Sequence, residues 1–133
     1  MTPDNYFRNF DFSKNDINKY LEKAKEDIAI AEKSDIPKVK TLFVYKALIK
    51  LGIATIAYKK GKRVRSKSGH HIKILSNLSD ILQNKDIAII GNIIRKKRNS
   101  DLYFANSTFT EKESAEYIGF IKDIYEKVKK LIK

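Results

Sequence analysis

Between Ser13 and Ala31, apolar residues return at steps of three and four: Ile17, Tyr20, Leu21, Ala24, Ile28 and Ala31. That spacing places them on one face of a helix. Ser13-Lys14-Asn15-Asp16 has the form of a capping box and opens the helix. Ser34 or Asp35 is expected to cap a second helix over about 37–60, with Pro37 tolerated in its first turn. This second pattern is apolar nearly all round, through Val39, Leu42, Phe43, Leu48, Ile49, Ile53 and Ile56. Such a helix belongs at the centre of a bundle, touching several neighbours. Gly61 is placed to end it.

A third, shorter helix is predicted from near Ser68, carrying Ile72, Leu75, Leu78 and Leu82. A fourth starts around Lys85 or Asp86 and presents Ile87, Ile90 and Ile94. Thr110-Glu111-Lys112-Glu113 is a second capping box, opening a last helix with Tyr117, Ile118, Ile121, Ile124, Tyr125, Val128 and Leu131 on one side. Lysines gather near its C-terminus, as the helix dipole favours. No segment alternates with period two for long enough to predict a strand. The pattern therefore predicts an all-α, up-and-down bundle of about five helices, one domain over 1–133. Tyr6, Phe7, Phe10 and Phe12 predict that residues 1–12 pack as a tail against it.

Composition narrows the chemistry. The chain is 42% apolar and 33% charged, which places it among globular rather than disordered chains. It has no cysteine, so disulfides, thiolate metal sites and cysteine nucleophiles are excluded. His70 and His71 are the only histidines, and adjacent residues rarely chelate one ion together, so no metal or other cofactor is expected. The first residues show no basic stretch followed by an apolar run, so no signal peptide is expected. The most apolar segment, LFVYKALIKLGIATIAY, is interrupted by Lys46 and Lys50 and reads as a core helix rather than a membrane span. A cytoplasmic protein is the expectation.

The charge is +12, and it is unevenly placed. Between Asp35 and Asp80 there is no acidic residue, while the interval holds eleven Lys and Arg. Genome composition explains a high total better than it explains acids avoiding one interval. A surface of this kind attracts polyanions, nucleic acid first among them. The stretch GKRVRSKSGHH concentrates it: Lys62, Arg63, Arg65 and Lys67 lead into Ser68-Gly69-His70-His71 at a predicted helix start, where free amides favour phosphate. A solvated basic connection between two helices fits the same residues.

The second concentration is IIRKKRNSDLYF, with Arg95, Lys96, Lys97 and Arg98 in succession. Continuing the face of Ile87, Ile90 and Ile94 brings Arg98 onto the same side, so Arg98 points toward the bundle or a partner. A guanidinium held there needs an anionic partner. Asp101 is one candidate, and a ligand phosphate is the other.

The order of these features resembles the HEPN family (higher eukaryotes and prokaryotes nucleotide-binding domains): apolar helix, basic loop, GHH before a helix, then Arg98-Asn99 and Tyr103. The resemblance covers about residues 34–104. It implies a HEPN-like homodimer that binds RNA or a nucleotide. Many relatives are metal-independent ribonucleases whose motif is an arginine, often followed by a polar residue, with a histidine a few positions on. Arg98 and Asn99 match its first half, while Tyr103 stands where the histidine would. A tyrosine, with a pKa of about 10, is a poor proton shuttle beside a histidine at about 6.5. Some relatives are toxins silenced by a nucleotidyltransferase that modifies a tyrosine two places beyond the motif histidine. Here that place is Ala105.

Three readings follow. The first is an RNA- or nucleotide-binding module, a toxin–antitoxin or defence-type component acting with a nucleotidyltransferase-like partner. It would bind through Arg95, Lys96, Lys97, Arg98 and the 59–73 basic loop. The second is a ribonuclease in which Arg98 stabilises charge on phosphorus, Asn99 positions RNA, and Tyr103, His70 or His71 handles the proton. The third is a helical interaction subunit without a ligand.

Overall fold

The computed structural model describes residues 6–65, 69–103 and 109–132, and for residues 100–103 it describes the backbone alone. Among the described residues there are five helices: α1 (Lys14–Lys33), α2 (Pro37–Lys60), α3 (His70–Leu82), α4 (Lys85–Tyr103) and α5 (Glu111–Leu131). Two three-residue strands, β1 (Phe7–Asn9) and β2 (Lys62–Val64), precede α1 and follow α2. The protein is an all-α helical bundle with a small β-ribbon beside it.

α2 is its centre and packs against all four other helices. Its buried residues, among them Val44, Tyr45, Leu48, Leu51, Ala54 and Ile56, face every direction around the axis. That is why its sequence shows no polar face. It is also the one described helix long and apolar enough to cross a membrane, but 67% of its most apolar window is buried inside the bundle. The neighbours contribute narrower stripes: Ile17, Leu21, Ala24, Ile28 and Ala31 from α1, and Tyr117, Ile121, Ile124 and Val128 from α5.

Both capping boxes form. Ser13 Oγ accepts from the Asp16 amide while Asp16 accepts from the Ser13 amide. Thr110 and Glu113 make the same reciprocal pair at α5. The start of α2 differs from expectation. Its N-cap is Ile36, without a side-chain bond, and Ser34 instead spends its hydroxyl on the Ile36 amide at 3.1 Å. Pro37 makes a side-chain cap less necessary, because it has no amide to satisfy.

α3 begins at His70 rather than near Ser68, behind Gly69 in a left-handed conformation (φ 82°). A left-handed residue interrupts helical geometry, so the helix opens after it. Its buried face is Ile74, Leu75 and Leu78, and Ile72, expected on that face, is 42% exposed.

The ribbon is the element the pattern did not predict. Phe7, Arg8 and Asn9 pair antiparallel with Val64, Arg63 and Lys62. Gly61, at φ 60°, turns the chain out of α2 and into β2, and its carbonyl accepts from the Phe10 amide at 3.1 Å. Three residues are too few to show a period-two signal, and the partners are remote in sequence. The expected packed tail is therefore a strand, with Phe7 and Phe12 resting on the core.

Candidate functional site: an arginine, a tyrosine and a histidine in one groove

Helical phase sets the site. Ile87 and Ile94 on α4 are fully buried, and the next turn carries Arg98 along the same stripe. There the helix reaches the edge of the bundle, and Arg98 is exposed. Its carbon sits 5.0 Å from the ring centroid of Tyr45 on α2, a cation–π contact. Tyr45 is 1% exposed, and its hydroxyl meets His71 Nδ1 at 2.8 Å. The two rings are 5.6 Å apart, and His70 lies 4.4 Å beyond His71. Three helices thus bring an arginine, a phenol and an imidazole together.

These side chains line a groove of about 290 Å³ with Tyr20, Lys46, Lys50, Ile49 and Ile53. Its cations are not equally available. Lys50 is held by the buried carboxylate of Asp27 at 2.5 Å, and Lys46 lies 5.2 Å from the Phe43 ring. Among the described residues, no carboxylate lines the groove itself.

Electrostatics fixes the state of the imidazole. Burial, followed by the neighbouring His70, Arg98 and Arg95, lowers the His71 pKa from 6.5 to about 4. His71 is therefore neutral at pH 7. Burial raises the Tyr45 pKa, opposed by Arg98 and Arg95, so the phenol keeps its proton. A buried phenol donates that proton, and His71 Nδ1 is the acceptor at hand. The imidazole proton then sits on Nε2. The groove offers an anion the Arg98 guanidinium, the exposed Lys46 ammonium and the His71 imidazole N–H. A phosphate against Arg98 would add negative charge beside His71 and raise its pKa back toward the usual range.

The other expected residues separate into groups. Arg95 donates from Nε to Asn92 Oδ1 at 3.3 Å. Lys97 pairs with Glu113 at 2.7 Å and lies 5.3 Å from the Phe109 ring, tying α4 to the start of α5. That bond is the largest cause of the lowered Glu113 pKa. Lys96 and Asn99 are exposed. Tyr103 closes the last turn of α4, and its side chain lies outside the described residues, as does that of Asp101. Lys62 and Arg63 belong to β2, Arg65 follows it, and Lys67 lies outside the described residues.

The GHH motif and the basic stretch of α4, separate in sequence, thus share one groove through His71 and Arg98. Tyr45 links them and escaped the sequence reading, because in LFVYKALIK it passes as one more large residue of a core helix. A signal existed: a phenol at a fully buried position must find an acceptor. Comparison of the chain with protein-family models, curated proteins and solved structures finds no match.

Proposed function

We propose that this chain is a HEPN-like RNA- or nucleotide-binding module, with the Arg98, Tyr45 and His71 groove as its phosphate-binding centre. One observation carries the reading: an exposed guanidinium is set over a buried aromatic ring, beside an imidazole held neutral, in a groove that no carboxylate lines among the described residues. Arg95, one turn before Arg98 and close enough to act on Tyr45 and His71, extends the positive surface on the same side of α4. The resemblance supplies the wider setting of a homodimer, a toxin–antitoxin or defence-type role, and a nucleotidyltransferase-like partner. A gel-shift series with labelled single-stranded RNA in EDTA, at low and moderate salt, tests the core of it. Wild type shifts the RNA, moderate salt weakens the shift, and Arg98→Ala loses most of it. A shift indifferent to both salt and Arg98 would remove the groove from consideration.

A second reading, metal-independent endoribonuclease, is favoured by Arg98 and His71 lining the same groove. The guanidinium would stabilise charge on phosphorus, and His71, its pKa raised by the bound phosphate, would carry the proton. In the same EDTA series this reading predicts cleavage by wild type that Arg98→Ala abolishes. Intact RNA with an Arg98-dependent shift leaves binding alone.

A further inference from the structure

We propose that the groove at Arg98 is one end of a track for a single-stranded polynucleotide, and that the β1–β2 ribbon is its second contact, receiving an unstacked base at Phe10. The proposal rests on the reading above and extends it from a site that fits one nucleotide to a surface that takes several.

The ribbon is built against its own charge. Its register sets Arg8 directly opposite Arg63. Like charges facing across an antiparallel pair are destabilising. Both guanidiniums gather about one ring, their carbons 5.4 and 5.3 Å from the Phe10 centroid. Phe7 and Phe12 rest on the core. Phe10 lies against Phe12 at 4.6 Å with these two arginines about it.

Beside it runs a groove of about 460 Å³ whose lining includes Phe10, Phe12, Lys19, Lys23 and Arg63. Among the described residues its one lining acid, Asp16, already accepts the Ser13 amide in the α1 capping box. Asp11, between the two phenylalanines in sequence, is exposed.

Tyr20 joins the two places. It lines this groove and also the groove of Arg98, Tyr45 and His71. Cations and partly exposed aromatic rings therefore follow one path: Arg98, then Tyr20, then Phe10 with Arg8 and Arg63. Tyr45, 1% exposed, lies beneath Arg98 and offers no stacking face. Alternating stacking faces and cations are what a single strand needs, because its bases are free to stack and its phosphates lie between them. A duplex keeps its base faces covered. An acidic peptide would use the charges and leave the ring without a role.

Fluorescence anisotropy with labelled oligouridylates, from a dinucleotide to a twelve-nucleotide strand, tests the track. Wild-type affinity rises with length, by about tenfold or more once the strand reaches Phe10. Phe10→Ala loses that gain and binds the dinucleotide as wild type does. Phe10→Tyr keeps the ring and the gain, which separates stacking from any disturbance of the ribbon. Arg8→Ala with Arg63→Ala flattens the length dependence as Phe10→Ala does. The track is overturned if Phe10→Ala binds the long strand as tightly as wild type. It is equally overturned if polyglutamate of equal charge displaces that strand as well as unlabelled RNA does. Failure of the underlying reading looks different: the dinucleotide then shows no dependence on Arg98.

Discussion

At pH 7 the His71 imidazole is neutral, since burial and the adjacent His70, Arg98 and Arg95 hold its pKa at about 4 instead of 6.5. The unfolded chain takes up that proton at the ordinary value, and the folded chain does so only at the lower one. His71 therefore contributes stability that is fully present above pH 6.5 and is lost as pH falls through about 4. Melting temperatures between those limits should decline more steeply for wild type than for His71→Gln, whose amide does not titrate. Parallel profiles would mean that His71 is not held neutral. Tyr45→Phe keeps the ring under Arg98 and removes only the hydroxyl that meets Nδ1. Urea denaturation should show a loss of about 1 kcal/mol, the usual worth of one hydrogen bond, with helix content unchanged. Arg98 was legible in the sequence because its phase follows from Ile87, Ile90 and Ile94. Tyr45 was not, because a helix apolar on all sides gives no reason to single out one aromatic ring.

Among the elements, α2 makes the site possible, since it carries Tyr45 and holds α3 and α4 at its flanks. α3 approaches at Gly52, where an added Cβ would run into the side chain of Ile74. Ile74 is 1% exposed, and its branched side chain has little room to give. Gly52→Ala should destabilise the protein by about 1–3 kcal/mol through overpacking, seen as a lower urea midpoint. It should also disturb His71, one turn away on α3. The helices that announced themselves did so through local chemistry, the reciprocal Ser13–Asp16 and Thr110–Glu113 caps above all. The ribbon had no such announcement: Arg8 and Arg63 are neighbours only because the folded bundle brings β1 and β2 together. The start of α3 was legible only as lying near Ser68, and the left-handed Gly69 fixes it at His70.

For the whole molecule, the net charge of +12 is an excess of cations over acids, and only some of those cations are held in ion pairs. Lys97 is tied to Glu113, Lys50 to Asp27 and Lys122 to Glu32. Arg98 is presented differently, over a ring and exposed at the groove. This separates cations held in ion pairs from one left exposed at the groove. Arg98→Ala should weaken RNA binding and reduce the dependence of log affinity on log salt by about one contact's worth. Lys122→Ala, on the exposed Glu32 pair, should leave RNA affinity nearly as it was. Equal losses from both substitutions would mean that total charge, rather than the groove, determines affinity.

The most direct test of the central claim is an NMR titration of the His71 imidazole, alone and with saturating oligouridylate. Free protein should show His71 titrating at about 4, with its proton on Nε2 at neutral pH. Bound phosphate beside Arg98 should move that pKa upward and shift the Nε2 resonance. A His71 that titrates identically with and without RNA, while the RNA is demonstrably bound, would place the binding site elsewhere and contradict the account.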